Sequence, residues 1–126
     1  MLSVLYIQQM KEGRIIDNKT NNEMIYWIGE NAQDNWDLID LADQNDLWFH
    51  LSNQPSAHII LRMNNLAIKK LSKQTLIHCA VECKMHSKFS NTTKQRLHVI
   101  YTEIKNVSKA QNVGAVYTKN ENYLLL

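Results

Sequence analysis

The sequence predicts an α+β domain built on a largely antiparallel β-sheet, with one short and one long helix. Short apolar runs bounded by turn residues recur along the chain, which is the pattern of strands. Two segments switch instead to helical spacing, and no Gly/Pro-rich stretch divides the 126 residues. With 44% hydrophobic residues, three Gly and one Pro, the composition is that of a folded chain able to bury one core. Residues 1–126 therefore read as a single domain.

Taken in order, residues 2–8 are rich in β-branched and aromatic types and predict a strand. Glu12, Gly13 and Arg14 predict a turn, and residues 14–17 a second short strand. Residues 18–22 are a polar loop, and the apolar run 24–29 fits a buried strand. Asn31 is a good N-cap for a short helix ending near Ala42, with Ala32, Trp36 and Ile39 at helical spacing and Leu38 and Leu41 widening the stripe. Asp34, Asp37 and Asp40 form its solvent face.

Residues 46–52 and 57–63 are the clearest strand pair, joined by turn chemistry at Asn53, Gln54, Pro55 and Ser56. Antiparallel pairing around that turn sets His50 opposite His58, Trp48 opposite Ile60 and Asp46 opposite Arg62 on one face. Leu47, Phe49, Leu51, Ile59 and Leu61 line the other face, the expected core side. Asn64 or Asn65 can cap a long helix reaching about Lys88, with Ile68, Leu71, Thr75, Cys79 and Cys83 on one stripe broadened by Ile77, Ala80 and Val81. Lys69, Lys70, Lys73, Lys84 and Lys88 supply its basic exposed side. Residues 90–93 are a loop, and residues 97–104, 114–119 and 123–126 predict three closing strands.

The net charge of +2 conceals an asymmetry. Between Thr20 and Leu61 there are seven acidic residues and no Lys or Arg; from Arg62 onward there are eleven Lys/Arg and three acidic residues. Such segregation hints at nucleic-acid or membrane contact, while mutual neutralisation of the two halves is the plainer reading. No apolar run is long enough to span a bilayer, so no membrane contact is expected. Residues 1–9 lack a basic leader and cleavage site, which predicts a soluble, cytoplasmic chain whose sequons at Asn18, Asn91 and Asn106 carry no weight. Cys79 and Cys83 share a helix face and read as reduced, buried thiols.

Five histidines (His50, His58, His78, His86, His98) invite a metal reading, yet Cys79 and Cys83 have no matching second pair, so no metal is expected. Ser56 precedes His58 by two residues without a nucleophile elbow or a third orienting group. Three isolated glycines cannot build a phosphate loop, so neither a cofactor nor a catalytic residue is expected. Trp27, Trp36 and Phe49 sit in apolar runs and read as core; Trp48, on the face with the histidines and Arg62, is a candidate for base contact. Lys84, Lys88, Lys105 and Lys109 are the best phosphate candidates.

Asp46-Leu47-Trp48-Phe49-His50, followed by Pro55-Ser56-Ala57-His58-Ile59-Ile60-Leu61-Arg62, resembles the signature of the NFACT-R family. Ile28-Gly29-Glu30-Asn31-Ala32 with Asn35 resembles that family's glycine–asparagine segment, although Glu30 stands where a basic residue is usual. Cys79-Ala80, Lys84 and Ser87, then Val99-Ile100-Tyr101-Thr102, Lys105, Lys109 and Gly114, resemble the remainder in the right order. The resemblance implies an RNA-binding module without catalysis, found beside modules that engage tRNA and the large ribosomal subunit on stalled nascent chains. It is nearest to short eukaryotic stand-alone forms, here without their charged coiled-coil tail. The expected ligand is tRNA or rRNA, met by Arg62, Lys84, Lys88, Lys105 and Lys109, with Trp48, His50 and His58 adding stacking or hydrogen bonds. DNA binding, or an adaptor docking through the acidic helix, are the alternatives.

Overall fold

The computed structural model describes residues 11–88 and 96–126, so the strand expected over residues 2–8 and the loop over 90–93 lie outside the described residues. The elements are β1 (Lys11–Ile16), β2 (Glu23–Ile28), α1 (Ala32–Leu41), β3 (Leu47–Leu51), β4 (Ile59–Leu61), α2 (Lys73–Met85), β5 (His98–Glu103), β6 (Val107–Lys109), β7 (Val116–Thr118) and β8 (Asn122–Leu125). Six strands form one sheet in the order β1-β2-β4-β3-β5-β8, and every neighbouring pair is antiparallel. β6 and β7 pair as a separate antiparallel hairpin. The α+β class and the short and longer helix agree with the sequence reading.

The β3–β4 register is the one that the turn dictates: Leu47 faces Leu61, Trp48 faces Ile60 and Phe49 faces Ile59. Leu47, Phe49, Leu51, Ile59 and Leu61 pack beneath Cys79, Ala80 and Cys83 of α2. The opposite face is also buried. Trp27, Trp48 and Ile60 pack with Leu38 of α1, Ile104 and the hairpin residues Val107 and Val116. The centre of the sheet, over Trp27, Trp48 and Ile60, is thus covered on both sides, whereas the sequence named only the Leu47–Ile59 face as core. Burying a large apolar side chain stabilises by roughly 1.5–3 kcal/mol, enough for Trp27, Trp48 and Ile60 to recruit the amphipathic α1.

Three local expectations change for identifiable reasons. Gly13 lies inside β1, not in a turn, because the Tyr26 ring of β2 lies where its side chain would be. The second helix does not begin at Asn64 or Asn65, which both take positive φ (51° and 67°) in a turn. A short 3-10 segment follows at Ile68–Lys70, and α2 starts after Ser72, whose hydroxyl accepts from Thr75 N at 3.2 Å. α2 then turns Thr75, Cys79, Ala80 and Cys83 inward, so Ile77 and Val81 face solvent instead of broadening the core stripe. Trp36 is half-buried against the hairpin, donating from Nε1 to Ala115 O at 2.9 Å.

Two buried carboxylates tie distant segments together. Asp17, on the β1–β2 turn, accepts from Thr20 N and Oγ1 (both 2.8 Å) and Lys19 N (3.2 Å). Its other oxygen accepts from Ser72 N (2.8 Å) and Thr75 Oγ1 (2.6 Å) at the start of α2. Burial raises the Asp17 pKa, but these bonds outweigh it and hold the carboxyl well below its usual range. Asp46 accepts from Arg62 Nε (2.8 Å), Met63 N (2.7 Å) and Asp43 N (2.9 Å), pinning the start of β3 to the end of β4.

Thr75→Val keeps the side-chain shape and removes the shortest donor to Asp17. We expect it to lower stability by about 2 kcal/mol, the loss of a hydrogen bond to a buried charge; urea unfolding at pH 7 measures this, and an unchanged midpoint contradicts it.

Candidate nucleic-acid interface

One end of the sheet opens into a cleft of about 990 Å³, walled by the start of α1, the β3–β4 turn, the end of α2 and the β6–β7 loop. Asn35 builds its floor. This α1 side chain accepts from His58 N at 3.2 Å, and Gly29 N donates to His58 O at 3.0 Å. Any side chain at Gly29 would collide with the Asn35 carboxamide oxygen, so glycine is required by that approach. Gly114 serves the other wall: its φ is +89°, and a Cβ there would lie 2.8 Å from that of Ala32. The end of α2 closes the cleft through Ala57 N, which donates to His86 O at 3.3 Å. Ser56 Oγ accepts from Leu51 N (3.1 Å) and donates to Ala57 O (3.0 Å), holding the turn.

Within the cleft, two histidines have defined and opposite hydrogen-bonding roles. Trp48 Nε1 donates to His58 Nδ1 at 3.0 Å. Burial, with a smaller contribution from His50, pushes the His58 pKa down to about 3, so the ring is neutral and carries its proton on Nε2. His50 Nδ1 lies 2.7 Å from Leu51 O, which can only accept; Nδ1 is therefore protonated. Burial also lowers the His50 pKa, against a smaller upward pull from its hydrogen bonds to the Leu51 and Ser56 backbone. The rings are packed as a unit, with Trp48 stacked on His50 at 5.6 Å and His50 edge-on to His58 at 4.9 Å. Both rings line the cleft, with His58 itself only 2% exposed.

The sequence-predicted residues divide into two groups. His50, His58 and Lys88 line the cleft, together with Lys11. Trp48 is 1% exposed, so it orients His58 from below and is not placed to stack on a base. Lys84 stands on α2, one turn before Lys88. Arg62 is at the other end of the strands, bonded to Asp46 and Asp43 and lying 4.3 Å over the Trp27 ring. Lys109 bonds Asp40 at 2.7 Å, and Lys105 lies 3.6 Å from Glu103 beside a shallow pocket with Tyr117 and Lys119. Sequence reasoning passed over Asn35, Gly29 and Gly114 as site residues, although all three belong to the motifs quoted for the family resemblance. Among the described residues, no cluster of three or more His, Cys, Asp or Glu is placed to hold a metal. Cys79 and Cys83 are free and buried, which raises both thiol pKa values.

The α1 N-terminus adds no anion site. Asn31 Oδ1 caps Asp34 N at 2.8 Å, and the Asp34 carboxylate accepts from Glu30 N at 3.3 Å. Glu30 lines the cleft on this side, and Lys11 of β1 and Lys88 beyond α2 line it as well.

The family model of the NFACT protein RNA binding domain matches residues 14–120. The chain belongs to this family. Its general role is accordingly RNA binding. Coiled-coil domain-containing protein 25 of Danio rerio is 28% identical over 88 residues, covering 69% of this chain and 42% of that protein. The Bos taurus form is 30% identical over the same shares. The chain therefore spans less than half the length of these relatives. The solved C-terminal part of the fibronectin/fibrinogen-binding protein from Streptococcus suis shares the fold, with a TM-score of 0.74 at 22% identity over 94% of this chain and 45% of that one. No helix among the described residues is long and apolar enough to cross a membrane.

The buried histidines predict a pH dependence with a definite sign. His58 is neutral when folded, and its pKa lies far below the ordinary 6.5, so the unfolded chain binds the proton better. Stability is fully present above pH 6.5 and falls as pH drops towards 3. The loss is about 1.4 kcal/mol per unit, and His50 adds in the same direction. Urea unfolding at pH 7 and pH 5 should show a loss of about 2 kcal/mol or more, and equal stability at both would contradict the assignment.

Proposed function

We propose that this NFACT domain binds tRNA or rRNA through the cleft between α1 and the end of α2, as a cytoplasmic module acting at the large ribosomal subunit. The observation that carries this reading is the convergence of Gly29, Asn35, His50 and His58, far apart in sequence, on one opening beside Lys11 and Lys88. Lys11, Lys84 and Lys88 supply phosphate attraction, which sets affinity and makes it salt-dependent. The neutral donor–acceptor pair of His58 and His50 supplies contacts that phosphate attraction lacks. The 2′-hydroxyl is the group through which such a site distinguishes RNA from DNA.

Fluorescence anisotropy tests the proposal with labelled tRNA, single-stranded RNA and matched DNA at two salt concentrations. RNA binding should weaken steeply with salt. Lys88→Glu with Lys84→Glu should weaken it by roughly tenfold, in line with the loss of one or two phosphate contacts. Lys105→Glu, outside the cleft, should cost much less. Salt-independent affinity, or a folded protein that binds none of the ligands, would refute the reading.

A further inference from the structure

We infer that the part of the sheet left bare beside the cleft by the described residues is a stacking platform for unpaired RNA bases, centred on Tyr123. The inference rests on the reading that the cleft takes RNA, and it specifies the kind of RNA.

Strand pairing runs a continuous row of side chains out of the cleft. His58 precedes β4, His50 faces Ile100 across the β3–β5 pair, and Ile100 faces Tyr123 across the β5–β8 pair. The next pair outward, His98 with Leu125, shares that face. This is the side of the sheet that α1 and the hairpin cover over Trp27, Trp48 and Ile60, but their cover does not extend to Ile100, Tyr123 or Leu125. Tyr123 is 59% exposed and Leu125 47%, while the alternate residue Leu124 turns into the main core. The Tyr123 ring stands edge-to-face with His98 at 6.3 Å, which fixes its orientation and leaves the ring largely open.

The chemistry of the surface selects the occupant. The row and its flanking pair carry no acidic side chain, and exposed Arg96 enters β5 beside them. An aromatic ring with a neighbouring histidine, bordered by cations and continuous with a polar cleft, suits a polyanion with flat apolar bases. A base in a duplex is stacked on both sides and cannot lie on a sheet, so the ligand must present unpaired nucleotides. One base rests on Tyr123, and its neighbour reaches the His50/His58 pair along the row.

Anisotropy with a labelled single-stranded RNA and a blunt hairpin duplex of equal length tests this on wild type, Tyr123→Ala, Tyr123→Phe and Lys88→Glu. The single strand should bind more tightly than the duplex. Tyr123→Ala should weaken single-strand binding about tenfold, the size of one lost base–aromatic stack, and leave duplex binding unchanged. Tyr123→Phe should retain wild-type affinity. If Lys88→Glu weakens the single strand and Tyr123→Ala does not, the platform is wrong while the cleft reading stands. If folded wild type binds neither RNA, both fail. A dimer by sedimentation that Tyr123→Ala dissociates, with RNA affinity unaltered, would assign the surface to a second copy and overturn the platform.

Discussion

The hydrogen bond from Trp48 to His58 joins the interior of this protein to the cleft. It exists only because the sheet is covered on both faces. If α1 did not close over Trp48, the indole N–H would be solvated and His58 would be free to take either tautomer. Once buried, an unpaired indole N–H would cost about 1–3 kcal/mol, so the pairing is enforced by the same packing that excludes water. Asn35 extends the constraint. It fixes the backbone of His58 from α1, while Gly29 gives way so that the carboxamide can approach. A helix, two strands and a turn are thereby committed to one imidazole at the wall of the cleft.

Electrostatics commit part of the segregated charge to the fold. Arg62 is held by Asp46 and Asp43, and Lys109 by Asp40, so part of the acidic first half neutralises part of the basic second half. The acidic face of α1 is correspondingly occupied: Asp34 contacts the backbone at the helix start, Asp37 accepts from Gln33, and Asp40 takes Lys109. This weakens the case for α1 as an acidic docking face. Lys11 and Lys88 line the cleft together with Glu30.

Much of the centre of the fold was legible in the chain. The turn at residues 53–56 fixed the β3–β4 register, and Asn31 fixed the start of α1, because both signals are local hydrogen-bonding chemistry. What escaped depends on contacts between distant residues. Nothing near Gly13 announces the Tyr26 ring from the next strand, and nothing near Ser72 announces the Asp17 carboxylate. The Trp48 and Ile60 face was not named as core because the hairpin that completes its cover comes from residues 107–118, where β6 is only three residues long. Residue type singled out His50, His58 and Lys88, which line the cleft, whereas spacing could not show that Arg62, Lys105 and Lys109 lie outside it. Only the family motifs flagged Gly29, Asn35 and Gly114, whose contribution is the space they leave or the backbone they hold.

Titration of 15N-labelled protein with a short single-stranded RNA, followed residue by residue in amide spectra, tests the central claim most directly. The account predicts that the largest shifts cluster at Gly29, Asn35, His50, Ser56, His58 and Lys88, with the Arg62 and Lys105–Lys109 amides little changed. Shifts concentrated on those latter residues, with the cleft silent, would show that RNA is held elsewhere and would contradict it.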